Sequence, residues 1–207
     1  MVDTVQAAYR KLRKGGILVF FQSYSVLCQF TQILKAKIMN VFFEQKDMQK
    51  SKAVVNQFNF TIQSEPAVFC CVFNGKFAEG IDFSDDQCRI AINVSIPYAS
   101  IQSSYINEKM AFQDQHFRGQ LDGQKWYEIQ AYRAINQACG RGIRHANDYC
   151  QIVLLDQRLW NNRQMLSKWV QNGQKMSVEE YEEDSSIQHI TEHHVSNNSS
   201  CFSQKGV

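Results

Sequence analysis

The run Ile17-Leu18-Val19-Phe20-Phe21, opened by Gly15-Gly16, contains no polar residue, and Ala67-Val68-Phe69-Cys70-Cys71-Val72-Phe73 repeats the pattern further along. A strand apolar at every position has both faces covered, the condition of a strand inside a parallel sheet with helices on either side. Segments of helical period separate such runs. Tyr24 to Ile38 places Leu27, Phe30, Ile33, Leu34 and Ile38 on one stripe, and Val54, Val55, Phe58 and Ile62 give a second helix its face. Val41-Phe42-Phe43, Arg89–Ser95 and Gln151–Leu155 read as further strands; Ile101–Phe117, Lys125–Cys139 and Met165–Val170 read as further helices. Strand and helix alternate, so the pattern predicts an α/β fold with a mostly parallel sheet flanked by helices. With 207 residues, 44% of them hydrophobic, one such domain and a tail exhaust the chain.

The apolar periodicity stops near Gly173. Residues 1–173 are expected to be the domain and 174–207 a polar, flexible tail, which has six acids against Lys175 and Lys205, a net of −4. The body is left at +6, which permits a polyanion partner without demanding one. No stretch approaches about 18 consecutive apolar residues, and Met1–Lys14 carries charge throughout, so no membrane span or secretory signal is expected. Seven cysteines without a C-x-x-C pair predict reduced, mostly buried thiols and no zinc ribbon. His189, His193 and His194 have helical metal spacing but lie in the polar tail, so no metal site is expected there.

In a parallel α/β sheet, ligands gather at strand-end loops. Gly75-Lys76-Phe77-Ala78-Glu79-Gly80-Ile81-Asp82-Phe83 follows a buried strand, and its two glycines let the backbone turn or approach a ligand closely. On its residues alone this loop is either a turn or a binding loop, and it is not a Walker phosphate loop, which the chain lacks altogether. Gln137-Ala138-Cys139-Gly140-Arg141-Gly142-Ile143-Arg144-His145 ends a helix with two arginines three apart, beside glycines that leave room for a ligand. Guanidinium groups suit bidentate contact with phosphate, although a basic pair at a helix end is also stabilised by the helix dipole. The two loops are expected to converge at one edge of the sheet.

Together, Gly16–Tyr24 (GILVFFQSY), Gly75–Phe83 (GKFAEGIDF) and Gln137–Arg158 (QACGRGIRHANDYCQIVLLDQR) resemble motifs IV, V and VI of the superfamily 2 DNA helicases of the Rad3/XPD group. The span Trp126–Gln137 is similar to the Fanconi anaemia group J helicase branch, and the resemblance runs over residues 15–172. It implies a RecA-like second motor domain. In this family ATP, with Mg2+, lies between two such domains, and the N-terminal one supplies the Walker loop, the DEAH-type metal site and a four-cysteine iron–sulfur module. This chain has none of the three, so the resemblance implies one half of a motor, with no ATP hydrolysis by itself.

Carried over by residue, Arg141 and Arg144 match the motif VI arginines that reach ATP phosphates as arginine fingers. Gln137 and Gly140 belong to the same motif at the nucleotide cleft. Glu79, Gly80 and Asp82 match motif V, with Asp82 suited to a ribose hydroxyl. Ser23 and Tyr24 match the end of motif IV beside the DNA track, and Lys76 is a phosphate-contact candidate. Asp156 and Arg158 also match a family position and are expected to form a structural ion pair. Three departures stand out: Gln22 where the family usually has Pro, Ala78 where it has Ser, and Cys150 where it has Gly. The resemblance implies DNA and an N-terminal helicase domain, in cis or in trans, as partners. It also implies 5′-to-3′ translocation and a nuclear role in DNA repair. The alternative is a truncated, inactive paralogue that serves as a nucleic-acid or protein binding module.

Overall fold

A computed structural model describes residues 1–75, 83–117 and 119–184. Its centre is a five-stranded, all-parallel sheet in the order β2-β3-β1-β4-β5. The strands are β1 (Gly15–Phe21), β2 (Val41–Phe43), β3 (Pro66–Val72), β4 (Ile90–Val94) and β5 (Gln151–Leu155). The two continuous apolar runs are the inner strands β1 and β3, in register Ile17↔Val68 through Phe21↔Val72. Every residue of β1 is buried, because alternate side chains feed two different cores.

Ile17, Val19 and Phe21 point to the face covered by α1 (Val2–Lys11) and α2 (Tyr24–Lys37), where they meet Val5, Ala8, Leu27 and Leu34. Leu18 and Phe20 point to the opposite face. There α3 (Met48–Thr61) supplies Val55 and Phe58, and α5 (Gly123–Cys139) supplies Ile135 and Ala138. Between them α4 (Ser104–His116) packs along α5 with no buried residue of its own. Gly16 has no room for a side chain: a Cβ there would sit 2.0 Å from the Gln87 carbonyl, so only glycine lets the entry to β4 lie against β1.

Differences from the sequence reading lie mostly at the periphery. The charged N-terminus forms helix α1, whose Val5, Ala7 and Ala8 are buried. Ile33, assigned to the inner stripe of α2, is 45% exposed. The helix expected over Met165–Val170 is a 3-10 turn, Arg163–Met165, followed after Leu166 and Ser167 by short α7 (Lys168–Gln171). Asn136 Oδ1 accepts the Ser167 amide at 2.8 Å at that break. A short α6 (Gln157–Asn161) follows β5, capped by Asp156.

Within the segment expected to be a tail, α8 (Val178–Glu183) packs against α1, and Tyr181 is buried. His189, His193 and His194 lie outside the described residues. All six described cysteines are unbridged, and four of them are buried. Among the described residues no helix is long and apolar enough to cross a membrane.

Candidate functional site

The arginine pair is carried by α5. Asp122 caps the start of this helix, its carboxylate accepting the Lys125 amide at 2.7 Å, and Ala131, Ile135 and Cys139 hold its inner face on the sheet. The last turn tightens into a 3-10 turn, Gly140–Gly142. Gln137 and Arg144 are exposed and Arg141 is half-buried. The two glycines differ in purpose. Among the described residues a Cβ on Gly140 would meet nothing within 4 Å, whereas a Cβ on Gly142 would fall 2.4 Å from Cys150 Sγ and 3.1 Å from Cys88 Sγ. At Gly142 the small residue is therefore required by packing against the residues just before β4 and β5.

Beyond the turn, buried charge anchors the backbone. The Arg144 amide donates to Asp148 Oδ2 at 3.1 Å, and Asp148 Oδ1 accepts Arg89 Nη1 at 2.9 Å. The Arg89 side chain is 8% exposed, and it also bonds Asp86 at 3.1 Å and lies 4.0 Å from the Tyr149 ring centroid. A guanidinium buried this deeply persists because its donors are matched by two carboxylates and the Tyr149 carbonyl. His145 Nε2 pairs with Asp85 Oδ1 at 3.0 Å. Asp85, His145 and Asp148 present ligand-type atoms within 4.8 Å of one another, but Asp148 is already engaged by Arg89.

Ser23 and Tyr24 lie at the other end of the strands, after β1. Ser23 Oγ accepts the Val26 amide at 3.3 Å and caps α2, while its own hydroxyl proton remains to be donated. The Tyr24 phenol donates to Glu44 Oε1 at 2.8 Å, and the Lys46 ammonium stands 5.9 Å from the Tyr24 ring centroid. Burial first, and then the Glu44 carboxylate, raise the Tyr24 pKa far above the ordinary phenol range. Asp156 and Arg158, after β5, form the expected ion pair at 2.6 Å.

Gly75 leaves the carboxyl end of β3, whereas Gly142 packs against Cys150 and Cys88, just before β5 and β4. Just before the turn, Cys139 Sγ accepts Asn93 Nδ2 at 3.6 Å, near the carboxyl end of β4, and Arg141 lies within electrostatic reach of Cys71 in β3. Burial pushes the Cys71 thiol well above its usual range, nearby Glu44 and Cys70 add to the rise, and the Arg141 guanidinium opposes it. The assignments to Lys76, Glu79, Gly80 and Asp82 lie outside the described residues.

Comparison with known proteins decides the family. Residues 7–173 match the helicase C-terminal domain family. The chain belongs to that family and is a Rad3/XPD-like helicase C-terminal domain. It is 40% identical over 125 residues to a Fanconi anemia group J protein homolog from Gallus gallus, covering 58% of this chain and 10% of that protein. It is 36% identical over 175 residues to a regulator of telomere elongation helicase 1 homolog from Aedes aegypti, covering 76% of this chain and 17% of that protein. An apo XPD structure superposes with a TM-score of 0.59 at 23% identity, over 78% of this chain and 32% of that one, which shows the RecA-like fold. The chain thus spans between a tenth and a fifth of the curated relatives' length.

In this helicase C-terminal domain the arginine turn was legible because its residues are contiguous. Arg89, Asp148 and Glu44, which hold the two ends of the sheet in shape, were missed. Arg89 and Asp148 are 59 positions apart, and each is a single charge beside an apolar run. The usable signal was the charge at the threshold of an otherwise alternating strand, since a buried arginine requires a carboxylate partner.

Proposed function

We propose that this helicase C-terminal domain is the second motor domain of an ATP-dependent DNA helicase and that ATP binds between it and an N-terminal half. The observation that carries the reading is the turn after α5: Arg141 and Arg144 flank Gly142, whose packing fixes the backbone, while no described residue lies within 4 Å of a Cβ built on Gly140. Guanidinium groups on so anchored a turn can meet phosphate oxygens with little reorganisation, where charge moves from the γ-phosphate toward the leaving diphosphate. Gln137 stands on the same helix end, and Glu79, Gly80 and Asp82 are assigned to the nucleotide by the family pattern.

Mg2+, the phosphate cradle and the attacking water belong to the N-terminal half in this scheme. No iron–sulfur cluster is assigned to this chain. Single-stranded DNA is assigned to the carboxyl ends of the strands, with Ser23 donating to phosphate, Tyr24 stacking on a base and Lys76 contributing charge. Translocation from 5′ to 3′ and nuclear work in DNA repair follow the family resemblance. The test is DNA-stimulated ATP turnover and unwinding by this chain joined to a Rad3/XPD-type N-terminal half. The expected result is unwinding of a 5′-tailed duplex in preference to a 3′-tailed one. Strand-independent turnover, or none, would refute the motor reading.

A further inference from the structure

Glu44 is only 3% exposed, and a buried carboxylate is tolerated only when hydrogen-bond donors replace its water. Its donors come from two different strand exits. Oε1 accepts the phenol of Tyr24, just after β1, at 2.8 Å, and Oε2 accepts the amide of Val72, the last residue of β3, at 2.9 Å. Glu44 itself follows β2, and its own amide donates to the Cys70 carbonyl at 2.8 Å. One side chain thus ties together three neighbouring strand ends, β2, β3 and β1, in the order in which they lie in the sheet.

The turn that follows β3 is shaped around the same carboxylate. Asn74 takes a positive φ of 55°, and the Gly75 amide returns to the Val72 carbonyl at 3.0 Å. A Cβ on Gly75 would lie 2.9 Å from Glu44 Oε1, so the chain passes over Glu44 at glycine distance. An acid beside a track for a polyanion costs electrostatic repulsion, so its contribution must come from the groups it holds and not from its charge.

We propose that Glu44 is a positioning residue of the DNA-tracking edge, its carboxylate fixing the Tyr24 ring and the start of the β3 exit loop in one arrangement. This rests on the DNA-binding reading above. It assigns Glu44 no contact with the nucleic acid.

The test uses the whole chain with a fluorescently labelled oligothymidylate strand, titrated at several salt concentrations, together with amide hydrogen exchange over residues 72–75. Glu44→Ala is expected to weaken binding roughly tenfold, although it removes a repelling charge, because two donors lose their acceptor. The salt slope should stay as in the parent, since no phosphate contact is removed. Glu44→Gln keeps an acceptor for Val72 and offers an amide to the phenol oxygen, so it should stay within about threefold of the parent. Exchange at residues 72–75 should quicken in the alanine variant and not in the glutamine variant. Alanine binding equal to or tighter than the parent's overturns the proposal, as the charge would then be all that mattered.

If the parent itself binds no strand, the DNA reading fails and the proposal falls with it; where the parent binds, unchanged exchange at residues 72–75 in Glu44→Ala overturns the positioning role alone. Should Glu44→Ala fail to fold, Tyr24→Phe cuts the phenol link while keeping the ring. It should then weaken binding by roughly threefold or more, and parent-like binding overturns the proposal.

Discussion

Arg141 and Gly142 are neighbours with opposite demands. Arg141 is proposed to act on transition-state charge, so Arg141→Ala or Arg144→Ala in a reconstituted motor should lower kcat by on the order of 10³-fold with an unchanged melting temperature. Arg→Lys should rescue only in part, because an ammonium cannot reproduce the guanidinium fork. Turnover measured beside thermal unfolding checks both, and parent-like turnover in both alanine variants would remove the arginines from the mechanism. Gly142 is subject to packing instead. Gly142→Ala drives a methyl to 2.4 Å from Cys150 Sγ and should cost about 1–3 kcal/mol by overpacking. Cys150 stands where the family usually has Gly, so Gly142→Ala combined with Cys150→Gly should recover most of that loss. Chemical denaturation of the single and double variants measures the coupling, and simple additivity would refute this account.

Elements at the margin of the sheet show what a periodicity argument reads and what it misses. Helix α8 has only six residues and is mostly acidic, so it shows no apolar stripe, yet Tyr181 on it is buried and its phenol donates to Gln151 Oε1 at 3.1 Å. The Lys11 ammonium donates to the Tyr181 carbonyl and to the Asp184 carbonyl, the latter at 2.7 Å, and lies 3.8 Å from the Tyr181 ring centroid. These contacts join residues some 170 positions apart, and no local pattern announces them. Tyr181→Ala should therefore cost about 2–4 kcal/mol, a loss of several degrees in melting temperature, despite lying past the end of the apolar periodicity. Helix α6 offers a pH test. The hydrogen bond from Arg158 is the first cause that holds the Asp156 carboxyl below its ordinary value of 3.8. A depressed folded pKa means that the unfolded chain binds the proton first as pH falls. The stabilisation is complete above the ordinary value and disappears as pH drops through the folded one. The stability gap between the parent and Asp156→Asn should thus be constant near neutrality and shrink below about pH 4. A gap independent of pH would show that the ion pair contributes nothing.

On the scale of the molecule, the parallel sheet was legible because β1 and β3 are apolar at every position; its order was not, because that depends on which run pairs with which. The turn after α5 packs at Gly142 against residues just before β4 and β5, and Ser23, Tyr24 and Glu44 gather at the carboxyl ends of β1 and β2. The sequence has no Walker loop, and an arginine finger stabilises only charge that another domain already holds in place. The purified chain alone should therefore hydrolyse ATP no faster than a buffer blank with Mg2+ and single-stranded DNA present. Addition of a Rad3/XPD-type N-terminal half should bring turnover that is DNA-dependent and sensitive to Arg141→Ala. The two halves of this prediction fail separately. Robust magnesium-dependent turnover by the chain alone, retained in the Arg141→Ala variant, would mean that it carries a complete nucleotide site of another kind. Silence after addition of a folded and bound N-terminal half would instead favour a domain that keeps the motor fold without motor chemistry.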